Sequence, residues 1–203
     1  MLPVVWLSLC GALGPAEAAS STPIASQTSG PAHGVVRSID KMAMVVDMAD
    51  GAKLTVQLVP GWSVTLVRTA TLADIAPGSE ISVFETLQPD GSSSPIEIHV
   101  YGTGMPLSPH GQWRDQAGTY TETTGQTATA ANTVAGLDLD LSFPGAKSHL
   151  TVPPSTPVLT FDPAATDQVT AGTPISLFIG KGPDGALYAS GVAIGEKGAP
   201  PPD

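Results

Sequence analysis

One cysteine, eight basic residues and few aromatics define this 203-residue chain by what it does without. Cys10 lies in a segment expected to be removed, so the mature chain should have no disulfide, thiol nucleophile or thiolate metal site. Charged residues make up 13%, against a usual value of about 25%, which excludes a coiled coil and a charge-driven disordered chain. Lys and Arg total 8 against 18 Asp and Glu, a net charge of −10. Such a chain lacks the basic footprint that phosphate backbones require, and aromatics at 5% are too few to line a single-strand groove. Nucleic acid is therefore not an expected partner. After the first residues no apolar run approaches the ~18–20 residues of a membrane span, so no mature span is expected. G-x-S-x-G, S-x-x-K and S-D-N are missing. Gly102-Thr103-Gly104 runs into Met105-Pro106, which cannot open a phosphate-binding helix. No enzyme, catalytic residue or cofactor is expected.

What is present begins with an apolar stretch, Leu2 to Leu13, followed by Pro15 and Ala16-Glu17-Ala18. The length and the A-x-A pattern are those of a secretory signal peptide over 1–18, although no Lys or Arg precedes the run. The expected location is the periplasm or the medium. Residues 19–33 have little to bury and read as a flexible tether; 196–203, rich in proline, read as a similar tail.

The rest repeats. Shifted by 94 positions, Gly51-Ala52-Lys53 falls on Gly145-Ala146-Lys147, Val64 on Val158, and Gly78 on Gly172. Ile81-Ser82-x-Phe84 falls on Ile175-Ser176-x-Phe178, and Pro89-Asp90-Gly91 on Pro183-Asp184-Gly185. This reads as a tandem duplication, unit one 34–101 and unit two 128–195, joined by a linker or clasp over 102–127. Within a unit, Leu54, Val56 and Leu58 alternate with polar residues as in a half-buried strand, and Trp62, Val64 and Leu66 continue as another. Pro-Asp-Gly supplies a preset torsion, a side chain that bonds back, and a positive φ, hence a hairpin in each unit. Thr71 to Ile75 has a Thr cap with an acid three residues on, which predicts one helical turn plugging the sheet through Leu72 and Ile75. In unit two Asp162-Pro163 is expected to open the equivalent turn and Val169 to plug. The expected fold is all-β: two tandem small barrels of the oligonucleotide/oligosaccharide-binding (OB) type, each with five to six strands and one helical turn, since closure removes exposed edges.

These motifs carry a resemblance. Gly34-Val35-Val36-x-Ser38-Ile39, Asp50-Gly51-x-Lys53-x-Thr55-Val56, Leu72-x-Asp74-Ile75-x-Pro77-Gly78 and Gln88-Pro89-Asp90-Gly91 resemble a bacterial family of exported proteins with a repeated small β-barrel domain of unknown function. Val152-Pro153-Pro154-x-Thr156-Pro157 and Gly182-Pro183-Asp184-Gly185 extend the resemblance to unit two. It implies the fold and an envelope location, and no activity.

Met42, Met44 and Met48 on one strand face could bind copper(I), but they align with Leu137, Leu139 and Phe143, so core packing is the better reading. Asp138 and Asp140 on the opposite face read as solvated, because no loop supplies the oxygens a calcium ion needs. His33, His99, His110 and His149 are not at metal-site spacing; His99, flanked by Ile98 and Val100, should face outward beside Glu97. The linker holds His110, Trp113 and Arg114, residues the repeat does not explain. Two readings stand: a structural clasp with Trp113 buried in the seam between barrels, or a ligand pocket there using all three. The expected function is an exported, non-catalytic binding or structural module for an envelope protein or small ligand. The alternatives are a periplasmic metal-binding or metal-delivery protein using His110, and a hydrolase whose site forms only in three dimensions.

Overall fold

Period-two patterning and turn chemistry set the strands. In the computed structural model, which describes residues 25–27, 32–88, 90 and 92–202, fourteen strands form one continuous hydrogen-bonded network, with only short 3-10 turns besides. They are β1 (Ala25–Gln27), β2 (Ala32–Ile39), β3 (Ala43–Met48), β4 (Lys53–Ala70), β5 (Glu80–Leu87), β6 (Ser93–Tyr101) and β7 (Gly111–Arg114). There follow β8 (Tyr120–Thr133), β9 (Gly136–Phe143), β10 (Ala146–Val152), β11 (Val158–Ala164), β12 (Pro174–Leu177), β13 (Gly180–Lys181) and β14 (Leu187–Gly195). The protein is all-β, and among the described residues no helix is long and apolar enough to cross a membrane.

Local chemistry explains the connections. Asp74 accepts hydrogen bonds from the Thr71 backbone N–H at 2.8 Å and the Thr71 hydroxyl at 2.9 Å, fixing the turn Leu72–Asp74. Ile75 then plugs the core, with Leu72 half-buried beside it. Val169 occupies the equivalent place in unit two, but Asp162 and Pro163 do not open its turn. They lie within β11, and Ala165 precedes the turn Thr166–Gln168 instead. Between β13 and β14, Asp184 accepts from the Ala186 N–H at 3.0 Å, and Gly185 takes φ +80°, where a side chain would be strained. Pro89 and Gly91, of the matching turn, lie outside the described residues. The two strands expected around Pro60 and Gly61 are one, β4, running through a φ of +80° at Gly61. In unit two Pro153, Pro154 and Pro157, which cannot donate to a ladder, split the corresponding length into β10 and β11.

Partner choice departs from the expectation. Strands β2, β3 and β4 of unit one are closed into a circuit by β12 and β14 of unit two, through β12–β2 and β14–β4 pairing. Strands β8, β9, β10 and β11 of unit two are joined instead by β5 and β6 of unit one, through β5–β8 and β6–β11 pairing. Hence neither 34–101 nor 128–195 pairs only within itself. The hydrophobic clusters mix in the same way. One joins Met44, Val46, Val56 and Val64 to Ile175, Leu177, Val192 and Ile194. The other joins Ile81, Val83 and Ile98 to Leu137, Leu139, Leu141 and Val152. Ile81-Ser82-x-Phe84 and Ile175-Ser176-x-Phe178 carry the same apolar pattern, so strands of either segment can complete the other.

The second group is an open run, β11-β6-β5-β8-β9-β10, a circuit only in that the chain joins β10 to β11. The two groups share an antiparallel ladder between β4 and β11 in which Val67 faces Phe161, residues 94 apart. This ladder sets their relative orientation, the role expected of Trp113. Trp113 instead sits on β7, hydrogen-bonded along β8, and is 39% exposed, so the buried-clasp reading is corrected. Met42 departs too: it precedes β3 and is 64% exposed, while Met44 and Val46 are fully buried as core. The ends are more ordered than a tether and a tail. Ala25–Gln27 pairs with β13, His33 lies on β2 and bonds Ser176 at 2.8 Å, and Pro201 is buried. Residues 1–18, including Cys10, and the remainder of the tether lie outside the described residues.

Candidate functional site

Directly paired residues of neighbouring antiparallel strands share a face. Glu97, Phe84, Glu122 and Trp113 are paired in sequence across β6, β5, β8 and β7, and so form one row. His99, Ser82 and Thr124 form the next row, and Tyr101, Glu80 and Gln126 the third. The parallel pairing of β6 with β11 sets Phe161 beside Tyr101. The face opposite to the Ile81, Val83 and Ile98 core is therefore built of aromatic rings and carboxylates.

The rings touch. His99 lies 4.4 Å from Phe161 and 4.5 Å from Phe84, centroid to centroid. Tyr120 stacks on Phe84 at 5.8 Å, and Tyr101 stands 5.7 Å from Phe161. All five are half-buried. Aromatic pairs at these separations stabilise one another by about 0.5–1.5 kcal/mol beyond burial. Polar groups are tied in beneath. The Tyr101 hydroxyl donates to Ser82 Oγ at 3.2 Å, and Ser82 and Thr124 share a bond of 2.6 Å. Both oxygens lie within reach of Glu122 Oε1, at 3.1 and 3.2 Å, so one of the two hydroxyls donates to the carboxylate while the other donates across the pair. Glu97 is hydrogen-bonded to His99 Nε2. At the margin His110 Nε2 meets Glu80 Oε2 at 2.8 Å, and Gln126 donates to Glu80 Oε1 at 3.2 Å. Beyond Tyr101 and Glu80 opens a cleft of about 530 Å³ lined also by Gly102, Gly104, Met105 and Leu107.

Burial and charge tune the titrating groups. Burial holds the His99 imidazole below its ordinary range, against the opposing pull of Glu97 and Glu122. Burial, then the charges of Glu122 and Glu97, push the Tyr120 phenol up to about 12. Tyr101 is raised mainly by burial as well. A histidine with a depressed folded pKa is protonated first in the unfolded chain, so stability should fall as pH drops below about 6.5. Urea midpoints of the protein should decline more steeply from pH 7 to 5 than those of His99→Phe. Parallel declines would remove His99 as the cause.

Of the residues singled out in the linker, His110 and Trp113 border this face, at Glu80 and Glu122 respectively. Arg114 is opposite Thr121, one residue out of phase, and belongs to the other side of β7. His99, expected to face outward beside Glu97, is bonded to Glu97 and is also the centre of the ring cluster. Asp138 and Asp140 are occupied by local bonds: Thr151 to Asp138 at 3.0 Å, and His149 to Asp140 at 2.7 Å. Among the described residues no group of three or more His, Cys, Asp or Glu is arranged to hold a metal ion. Searches of protein-family models, curated proteins and solved structures return no match to this chain.

Proposed function

We propose that the protein is a non-catalytic binding module of the bacterial cell envelope, and that the ring-and-carboxylate face on β5, β6, β8 and β11 is its binding surface. The observation that carries this reading is the five-ring cluster itself. A sheet face that served only solubility would carry scattered polar side chains; a cluster of touching, half-buried rings among carboxylates is the composition of an interaction site. On this face Ser82 is fully buried and bonded to Tyr101, Thr124 and Glu122 rather than to His99, an arrangement that does not expose its hydroxyl as a nucleophile. Export follows from the 1–18 segment, read as a signal peptide.

The scaffold belongs to the same reading. The two circuits are two small OB-like barrels of a tandem duplication, the first made of three strands joined by two from the other unit, the second of four strands joined by two. Equivalent pairings support it: Val192 faces Val64 as Ile98 faces Val158, and Ile194 faces Leu66 as Val100 faces Thr160. The rings decorate only one of the barrels. His99 and Tyr101 correspond at the 94-residue offset to Ala193 and Gly195, so the scaffold does not need them.

Saturation-transfer NMR with four probes tests the reading: N-acetyl-arginine amide, N-acetyl-lysine amide, a disaccharide and indole. At least one should receive magnetisation from the protein, and Phe84→Ser with Phe161→Ser should abolish it while the β circular dichroism persists. If every probe is silent, or if contact survives in that double variant, the face is not the binding surface.

A further inference from the structure

The composition of the face restricts what can bind there. Its residues, read along the pairing, are Glu80, Ser82, Phe84 and Thr86 on β5, then Glu97, His99 and Tyr101 on β6. Strand β8 adds Tyr120, Glu122, Thr124 and Gln126, and β7 and β11 add Trp113 and Phe161. None of these is Lys or Arg, in a chain whose net charge is already −10. Three carboxylates therefore stand among rings with only histidines beside them, and burial holds His99 toward its neutral form. The negative charge is felt at the rings: Glu122 and Glu97 both contribute to the high pKa of Tyr120. An occupant of the face must be cationic.

Geometry narrows the cation further. A compact ammonium ion is best held in a cage of rings set apart around it. Here Phe161, His99 and Phe84 are in contact with one another, at 4.4 and 4.5 Å, and enclose no such space. Phe84 meets His99 edge-on at 61° and Phe161 is tilted 44° to it, so the cluster offers separate ring faces and edges, with Glu97 and Glu122 at its side. A planar guanidinium matches both features: it stacks on aromatic faces, and its fork of N–H groups pairs with carboxylates in a way a point-charge ammonium does not. On the reading that this face is the binding surface, we propose that it receives an arginine side chain of a partner polypeptide. The guanidinium lies on the Phe84–His99–Phe161 rings and donates to Glu97 and Glu122. Glu122 is suited to this, because the Ser82–Thr124 pair holds its Oε1 and thereby orients the carboxylate.

Calorimetric titration of the full protein at low salt, with N-acetyl-arginine amide, N-acetyl-lysine amide and N-acetyl-citrulline amide as probes, tests the proposal. The arginine probe should saturate, the lysine probe should bind at least about threefold to fivefold more weakly, and the uncharged citrulline probe should not bind measurably. Glu122→Gln and Phe161→Leu should each weaken the arginine probe by about threefold or more, with thermal midpoints recorded to show that each variant is folded. Glu196→Gln, on a separate cleft beside β4, should leave it unchanged. Equal binding of lysine and arginine would overturn the planar-cation assignment, and equal binding of citrulline would overturn the electrostatic one. Binding of the disaccharide or indole to this face with no arginine binding would overturn this inference and leave the binding face intact.

Discussion

Cut in the segment between β6 and β7, the protein should remain folded as a complex of its two halves, and neither half should fold alone. The argument rests on where the core comes from. The first circuit's core draws Val36, Met44, Val46, Val56, Leu58 and Val64 from one half and Val169, Ile175, Leu177, Ile179, Ala189, Val192 and Ile194 from the other. Burial of each large aliphatic side chain contributes roughly 1.5–3 kcal/mol. Losing half of such a set exceeds the whole stability of a typical domain, about 5–15 kcal/mol. The second circuit is divided in the same way, with Ile81, Val83 and Ile98 set against Leu137, Leu139, Leu141 and Val158. Co-expressed halves should elute together with the β spectrum of the intact chain, while each separate half should show an unfolded spectrum. A half that folds alone into a monomeric β protein would mean that its strands close on themselves, as the sequence by itself suggests.

Gly136→Ala should be the most destabilising single substitution at a glycine of β9, β10 or their turns, at about 3 kcal/mol or more. Gly136 opens β9 at φ +130°, a backbone conformation that side chains avoid. A Cβ built there would stand 1.9 Å from the carbonyl oxygen of Val152, a backbone atom that cannot step aside without breaking the β9–β10 ladder. Gly145 provides the contrast within the same hairpin. Its φ is +79°, but nothing lies within 4 Å of the added Cβ, so Gly145→Ala should cost only about 1 kcal/mol. Urea denaturation of both variants separates steric conflict from torsional preference. Equal losses at the two sites would show that the close approach at Gly136 is not rigid.

How much of this the sequence discloses depends on whether the cause is local. The turn at Thr71–Ile75, the Asp184-Gly185 hairpin and the burial of Leu137, Leu139 and Leu141 all follow from neighbours in the chain, and all are present. Partner choice is different. Because Ile81-Ser82-x-Phe84 and Ile175-Ser176-x-Phe178 carry the same pattern, alternation predicts both strands and is silent on which circuit each completes. The shared β4–β11 ladder was hidden for the same reason: Trp62, Val64 and Leu66 read as a strand with no sign of its partner, and only the meeting of β4 with β11 joins the two groups. The site was hidden by distance. Phe84, His99, Tyr120 and Phe161 come from four strands, and no spacing within one segment links them. One signal was present. His99 and Tyr101 replace Ala193 and Gly195 at equivalent positions, and a repeat that enlarges and aromatises one copy points to a face that the scaffold alone does not require. Trp113 and His110 of the linker, which the repeat does not explain, both border that face, and Trp113 fills no seam.

The central claim is that the ring face is where the protein binds. Its most direct test is a two-dimensional ¹H–¹³C spectrum of the aromatic side chains, recorded as N-acetyl-arginine amide is added to the intact protein. Resonances of Phe84, His99, Tyr101, Tyr120 and Phe161 should move together along one saturation curve, with Trp113 following at the margin. Phe143 at the end of β9 and Trp62 on β4 lie outside that face and should stay fixed. Five unmoved rings at millimolar probe, or shifts centred instead on the cleft of Arg68, Thr160 and Glu196, would contradict it.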